Sequence, residues 1–453
     1  VTDTASSPKA ASSPETASSS ETASSSETSP AVRDRRLSSP EGTDAPPGSP
    51  PPPSNDGVPN HDSRTVQAKD RARQIFGQHT SKLVELADAL HGDPELAFDE
   101  HRAAQRVGAV LHEAGFAVQQ GLCDLPTALA ATAGTGPLHI VIVAEYDALP
   151  GVGHACGHNL IAAAAVGAGL TLAPLADELG LTVTVLGAPA EEGGGGKILL
   201  LQRGAFTGAH AAMMVHPWPE DRLTATCLAV DHLQIAYTGR EAHASAAPER
   251  GINAGDAMVV AQVAIGLLRQ HLAPGDQVHG IVDCGGQAPN IVPLSSTGRW
   301  MLRSLTLDGL TALRPRVQQC FEAGALATGA TLQVTPLAPT YSHFEPDDAL
   351  LQAWRRNAEA LGRSYPADDA GVAAPTLSTD MANVSLAIPA IHPLIAVEAG
   401  DAVNHQPAFA AACTGESAQR ALVDGALGMA FTAIDAAIDP ALRDRLLTGP
   451  PRS

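Results

Sequence analysis

The sequence predicts an α/β protein: a main domain with a largely parallel, mixed sheet flanked by helices, interrupted by an inserted α+β domain of ferredoxin-like order. Two observations predict the main domain. The run LHIVIVA (138–144) is β-branched and apolar, the pattern of a strand buried on both faces, and LTVTVLGA (181–188) and AHAAMMV (209–215) repeat it. Ala-rich helical stretches separate the three runs, the alternation that builds a parallel sheet. A third observation predicts the insert. After about residue 229 the patterns run β-α-β-β-α-β.

Along the chain, residues 1–65 are dominated by Ser, Pro, Thr, Ala and Glu, with ETASSS occurring twice from Glu15. Such a segment buries too little to offset chain entropy and is expected to be a disordered tail. A signal or transit peptide is the rival reading, against which stand its acidic residues and missing apolar core. From Val66, helical spacing sets Ile75, Leu83, Leu86, Ala87 and Leu90 on one face, and a second helix is expected over 102–114. The main domain is read as 66–228 and 343–445, with a C-terminal tail at 446–453. Within the insert (229–342), strands are expected at 233–238, 278–283, 297–304 and 331–336, with helices at 254–271 and 310–326. The main domain then resumes with the apolar run IPAIHPLIAV (388–397) and one long Ala-rich helix over 407–438.

With 44% hydrophobic and 17% charged residues among 453, the chain has ample material for a core. Its 28 basic and 48 acidic side chains leave a net charge of −20, which disfavours nucleic acid and anionic membrane surfaces as partners. None of the six cysteines sits in a CxxC pair, so a reducing, cytoplasmic setting is the simpler expectation. No apolar stretch follows a basic segment near residue 1, and no run approaches about 18 uninterrupted apolar residues, so no membrane association is expected.

In open α/β sheets ligands gather beyond the carboxyl ends of the strands. Here LHIVIVA leads into Glu145, Tyr146 and Asp147 and then a loop with His154, Cys156 and His158. LTVTVLGA leads into Glu191 and Glu192, AHAAMMV into His216, and a late segment adds His405. A lone strand-end histidine is ordinarily a hydrogen-bonded core or surface residue, and paired glutamates ordinarily cap a helix. Three buried strands that all end in such groups would concentrate titratable side chains at great cost unless a cation compensates them. Imidazole, carboxylate and thiolate suit zinc, manganese, cobalt or nickel rather than calcium or magnesium. Five candidate ligands exceed one catalytic zinc's needs, which points to a pair of cations about 3.5–4 Å apart. Of Glu191 and Glu192, one can bind metal while its neighbour takes a proton from the attacking water.

Competing motifs fail. GGGGK (193–197) carries Ile198 where a phosphate loop needs Ser or Thr, and neither HExxH nor GxSxG occurs. Cys156 remains open as a thiol nucleophile beside His154 or His158; the other five cysteines read as small buried residues.

HACGHN (154–159), EYDALP (145–150), PAEEGGGGK (189–197), GREAHAS (239–245) and APNIVP (288–293) together resemble metallopeptidase family 20, in its amidohydrolase branch. LSTDMANVS (377–385) followed by IHP (391–393) is similar to its aminobenzoyl-glutamate hydrolases and basic-residue dipeptidases. The resemblance spans residues 66–438. It implies a binuclear site with Cys156, His158, Glu192, His216 and His405 as ligands of two divalent ions, zinc or manganese first, cobalt or nickel next. It implies Glu191 as general base and the insert as a lid that mediates homodimerisation. His243 would stabilise the oxyanion, in some relatives from the partner subunit, and Asn290 and Arg303 would hold substrate polar groups, against plain readings as a turn Asn and a strand-surface Arg. The substrate implied is a small N-acyl amino acid or dipeptide. Two departures, Asn159 where many relatives carry Asp and EYDALP where many carry DMDALP, bear on how His158 is oriented and on the substrate pocket. An inactive binding or regulatory homologue of the same fold is the alternative from another class.

Overall fold

The structure, a computed structural model, describes residues 61–365 and 376–449. Most of the segment read as a tail, residues 1–60, lies outside them. Residues 61–65 instead form the first turn of a helix, α1 (His61–Gly77), which Arg71 ties to Glu178 at 2.6 Å.

After α1 come α2 (Thr80–His91), α3 (His101–Glu113), β1 (Ala117–Gln120), β2 (Leu129–Ala133) and β3 (Leu138–Glu145). α4 (His158–Leu172), α5 (Ala176–Leu179), β4 (Leu181–Ala188), α6 (Gly196–Gln202), β5 (Ala211–Met213), β6 (His216–Trp218) and β7 (Thr226–Cys227) follow. The insert contributes β8 (Ala229–Thr238), α7 (Ala254–Leu268), β9 (Gln277–Cys284), β10 (Ser295–Ser304), α8 (Leu307–Thr328) and β11 (Thr331–Pro336). The chain closes with α9 (Asp348–Ala360), β12 (Thr376–Leu377), α10 (Met381–Ala387), β13 (Ala390–Ile391), β14 (Leu394–Ala396), α11 (Pro407–Ala412), α12 (Gly415–Ile438) and α13 (Pro440–Thr448).

The main sheet has the order β1-β2-β4-β3-β5-β13. Its β4, β3, β5 and β13 run parallel, as the buried apolar runs predict, while β1 and β2 add an antiparallel edge. β3 and β4 pair in register from Leu138 opposite Leu181 to Glu145 opposite Ala188, which brings their carboxyl ends to one edge. α4 is apolar on every side and is therefore buried on every side, packed against the sheet and α12. α4 with α5, and α12, are long and apolar enough to cross a bilayer, yet both lie mostly inside the protein.

The insert's sheet has the order β11-β8-β10-β9, antiparallel throughout, the ferredoxin-like arrangement expected. Its core of Ile235, Tyr237, Trp300, Leu302, Val317 and Phe321 is separate from the main one. Alternation along β10 gives Trp300 and Leu302 to that core and leaves Met301 and Arg303 on the opposite face.

Four further expectations need correction. The strand expected over 209–215 pairs only at Ala211–Met213. IPAIHPLIAV splits into β13 and β14, which join different sheets; Pro393 between them has no N–H to donate to a ladder. The helix expected over 407–438 breaks at Thr414, whose backbone is extended, and Gly415, whose φ is +80°. The C-terminal tail also starts late, because Asp439 caps α13 through Ala441 and Leu442 and the helix buries Leu442 and Leu446.

Candidate metal centre

The expected ligands stand at or near the ends of elements: His216 opens β6, and Cys156 and His405 lie two residues before α4 and α11. His158 is the first residue of α4, and Gly157 before it has a φ of +77°, with Pro217 Cγ 2.6 Å from where a Cβ would sit. Only glycine fits that turn between Cys156 and His158. Glu191 and Glu192 follow β4, and three successive backbone groups there are fixed. Ala190 N donates to Glu100 Oε1 at 2.8 Å, Glu191 O accepts from Tyr341 Oη at 2.8 Å, and Glu192 N donates to Asp147 Oδ2 at 3.0 Å. Ala190 (φ +57°) and His405 (φ +71°) hold left-handed backbone conformations rare for side-chain-bearing residues. Such strain persists only where surrounding contacts impose it, and both residues sit at the cluster.

Cys156, His158, Glu192, His216 and His405 converge. Cys156 with His158 and His216, and Cys156 with Glu192 and His405, form two groups whose ligand atoms lie within 4.8 Å of one another. Cys156 Sγ is 3.6 Å from His216 Nε2, His158 Nε2 is 3.9 Å from Glu192 Oε1, and His405 Nε2 is 3.5 Å from Glu192 Oε2. The two oxygens of Glu192 thus face different histidines. Each buried imidazole commits its other nitrogen. His158 Nδ1 meets Asp147 Oδ1 at 3.0 Å and His216 Nδ1 meets Pro217 O at 2.8 Å. With those as N–H donors, both Nε2 atoms keep a lone pair for a cation.

Burial pushes the Glu191 carboxyl well above the usual carboxylate range, aided by Glu145 and Glu192. Burial also raises Glu192 and the Cys156 thiol, and lowers His216 to about 4. Against its own burial, His158 is held above the ordinary histidine range by Asp147. His158 Nε2 and Glu192 Oε1 are buried with no hydrogen-bond partner among the described residues, an unmet demand that a divalent ion would meet. The donor set fits borderline ions.

A cavity of about 600 Å³ opens onto Cys156, Glu191, Glu192, His216 and His405 and reaches Arg303. His243 and Asn290 do not line it; both are exposed and adjoin each other, Ala244 N donating to Asn290 O at 3.0 Å. The two sequence departures have local explanations. Asn159 Nδ2 donates to Ala87 O and Cys413 O, so His158 is oriented by Asp147 instead. Tyr146 Oη donates to Thr127 O at 2.5 Å, away from the cluster.

Sequence reasoning misses Lys197. Fully buried at the start of α6, its ammonium pairs with Glu145 Oε1 at 2.6 Å and with Asp380. Taken locally, GGGGK reads only as a failed phosphate loop. The available signal is Glu145 at the end of a buried strand, a charge that requires a counter-cation. His392, buried with its ring 5.5 Å from that of His216, is also missed, although it is the central residue of the IHP motif.

The description Peptidase family M20/M25/M40 matches residues 141–420. A mouse (Mus musculus) Xaa-Arg dipeptidase is 38% identical over 389 residues, covering 83% of this chain and 90% of its own length. A p-aminobenzoyl-glutamate hydrolase subunit from Escherichia coli (strain K12) is 30% identical over 56% of this chain and 57% of its own. In fold, the chain is similar to a Bacillus subtilis dinuclear metal binding peptidase from the M20 family. The TM-score is 0.59 at 21% identity, over 79% of this chain and 99% of that one.

Proposed function

Because the chain belongs to the peptidase family M20/M25/M40 and is a hydrolase of peptide or amide bonds, we propose that it cleaves a small N-acyl amino acid or dipeptide at the convergent cluster. Cys156, His158, Glu192, His216 and His405 would hold two divalent cations, zinc or manganese first. When bound, such ions lower the pKa of a water to about 7 and polarise the scissile carbonyl.

The chain's own groups carry the rest. Glu191, the doublet's other carboxylate, takes a proton from the attacking water and returns it to the leaving amine. Its raised proton affinity and clamped backbone suit that exchange. Arg303 reaches the cavity with Ser378 Oγ and Met301 Sδ as its partners and no carboxylate among the described residues, so it is available to a substrate carboxylate.

His243 Nδ1 accepts from the backbone N–H groups of Ser245 and Ala246, which leaves Nε2–H as the donor an oxyanion needs. Since His243 and Asn290 stand outside this chain's cavity, they are assigned to the cavity of a second copy in a homodimer. The insert then serves as both lid and dimer contact. Burial that keeps Cys156 a protonated thiol without a cation counts against thiol catalysis.

The observation that carries the proposal is the convergence of the five ligands beside Glu191, four of them lining one cavity and His158 buried against Cys156, His216 and Glu192. The test is a hydrolysis screen of acyl-glutamates, hippurate, aromatic acyl conjugates and basic dipeptides in zinc, manganese, cobalt or nickel. Glu191→Gln is expected to retain metal and lose about 10²–10⁴ in kcat. A fully active variant would remove the assignment of the base, and no turnover of any substrate by metal-replete protein would favour a binding homologue.

A further inference from the structure

Apart from the Ser378 contact with Arg303, the LSTDMANVS motif has no place in the chemistry above, yet its side chains touch both ends of the insert and the buried Lys197–Glu145 pair. Ser378 lies on the cavity wall. Its hydroxyl donates to Leu228 O at 2.8 Å, between β7 and β8 where the chain enters the insert, so its oxygen is left as an acceptor, and Arg303 Nη1 fills it at 2.8 Å. Two residues on, Asp380 is fully buried and receives both the Lys197 ammonium and, at 2.8 Å, the Lys197 backbone N–H. Lys197 in turn holds Glu145, whose Oε2 is 3.5 Å from His158 Nε2. Asn383 binds the chain leaving the insert, accepting from Ser342 N at 2.9 Å and donating to Thr340 O at 3.1 Å.

We propose that this segment is the joint that sets the insert against the metal-binding loops, and that Ser378 is the positioning residue that aims Arg303 at the substrate carboxylate. The chemistry is specific. A guanidinium on a flexible stem gains directional value only when its fork is fixed. Ser378 is locked as an acceptor by Leu228, and Asp380 anchors it to a buried ion pair that cannot shift without exposing uncompensated charge. Ser378 would thereby govern recognition of the substrate's carboxylate and leave the proton transfers of Glu191 untouched. The proposal rests on the reading that Arg303 binds that carboxylate.

The experiment uses the full chain and the best carboxylate substrate of the screen, alongside the carboxamide of the same compound. Ser378→Val and Ser378→Thr have the same bulk and differ in the hydroxyl, so a packing defect would affect both. The expected result is that Ser378→Val raises KM for the carboxylate about tenfold with kcat within twofold. Ser378→Thr should restore it, and the carboxamide's KM should not respond. Arg303→Met should raise KM at least as much, and adding Ser378→Val to it should change nothing further. If Arg303→Met raises KM and Ser378→Val does not, or if Val and Thr behave alike, the positioning role is overturned while the reading of Arg303 stands. If Arg303→Met leaves KM unchanged, both fall.

Discussion

Glu100 shows how closely single residues near the cluster are balanced. It is fully buried, accepts from Phe98 N and Ala190 N, and leaves Oε2 without a hydrogen-bond partner among the described residues. Burial, with Asp147 nearby, pushes its carboxyl up to about 7. Between about pH 4.5 and 7 the unfolded chain has lost this proton and the folded chain keeps it, so stability falls as pH rises through that window, by at most about 3 kcal/mol. Glu100→Gln should flatten that part of the stability–pH curve, measured by denaturant unfolding at several pH values; an unchanged slope would contradict the assignment. The same balance explains what was legible at this scale. Strand-end ligands stand beside long apolar runs and can be read from the chain, so Cys156, His158, Glu191, Glu192 and His216 were visible. Lys197, Asp380 and Ser378 fall within PAEEGGGGK and LSTDMANVS but act through partners as far as 183 residues away, as Lys197 does with Asp380, so the motifs mark these residues without showing what they do.

At the scale of elements, burial on both faces was the strongest signal, and β3, β4 and α4 follow it. Short elements held by pairing alone escaped. β1 (AVQQ) and β2 (LAATA) lack a β-branched apolar run of their own, and β13 and β14 are defined by the different strands they join. The late start of the C-terminal tail has the same origin, since α13 is held by contacts from elsewhere. Asp347 caps α9 through Leu350 N at 3.0 Å and receives Arg445 of α13 at 2.7 and 2.8 Å. Asp347→Ala removes a cap and a charged pair and should cost about 2–4 kcal/mol by chemical denaturation. Activity per folded molecule should be retained. A loss under 0.5 kcal/mol (roughly the background for surface changes) would show that the clamp is incidental.

For the whole molecule, the separate antiparallel sheet of β8 to β11 was legible because the β-α-β-β-α-β order interrupts an otherwise parallel pattern. Assembly enters only through the family resemblance, because exposed residues such as His243 and Asn290 carry in themselves no sign of what they meet. If the proposed homodimer completes each cavity, Glu191→Gln and His243→Ala chains, each inactive alone, should recover activity when mixed and allowed to exchange. Half the dimers would be mixed and each would hold one intact cavity, giving roughly a quarter of wild-type activity. No recovery despite verified exchange would return His243 to its own chain or remove it from the reaction. The account as a whole stands on the ligand cluster, and anomalous diffraction from crystals soaked in zinc or manganese tests it directly. The account predicts two peaks about 3.5–4 Å apart, both bounded by Cys156, His158, Glu192, His216 and His405. Peaks at other side chains, or none in that cavity at saturating metal, would contradict it.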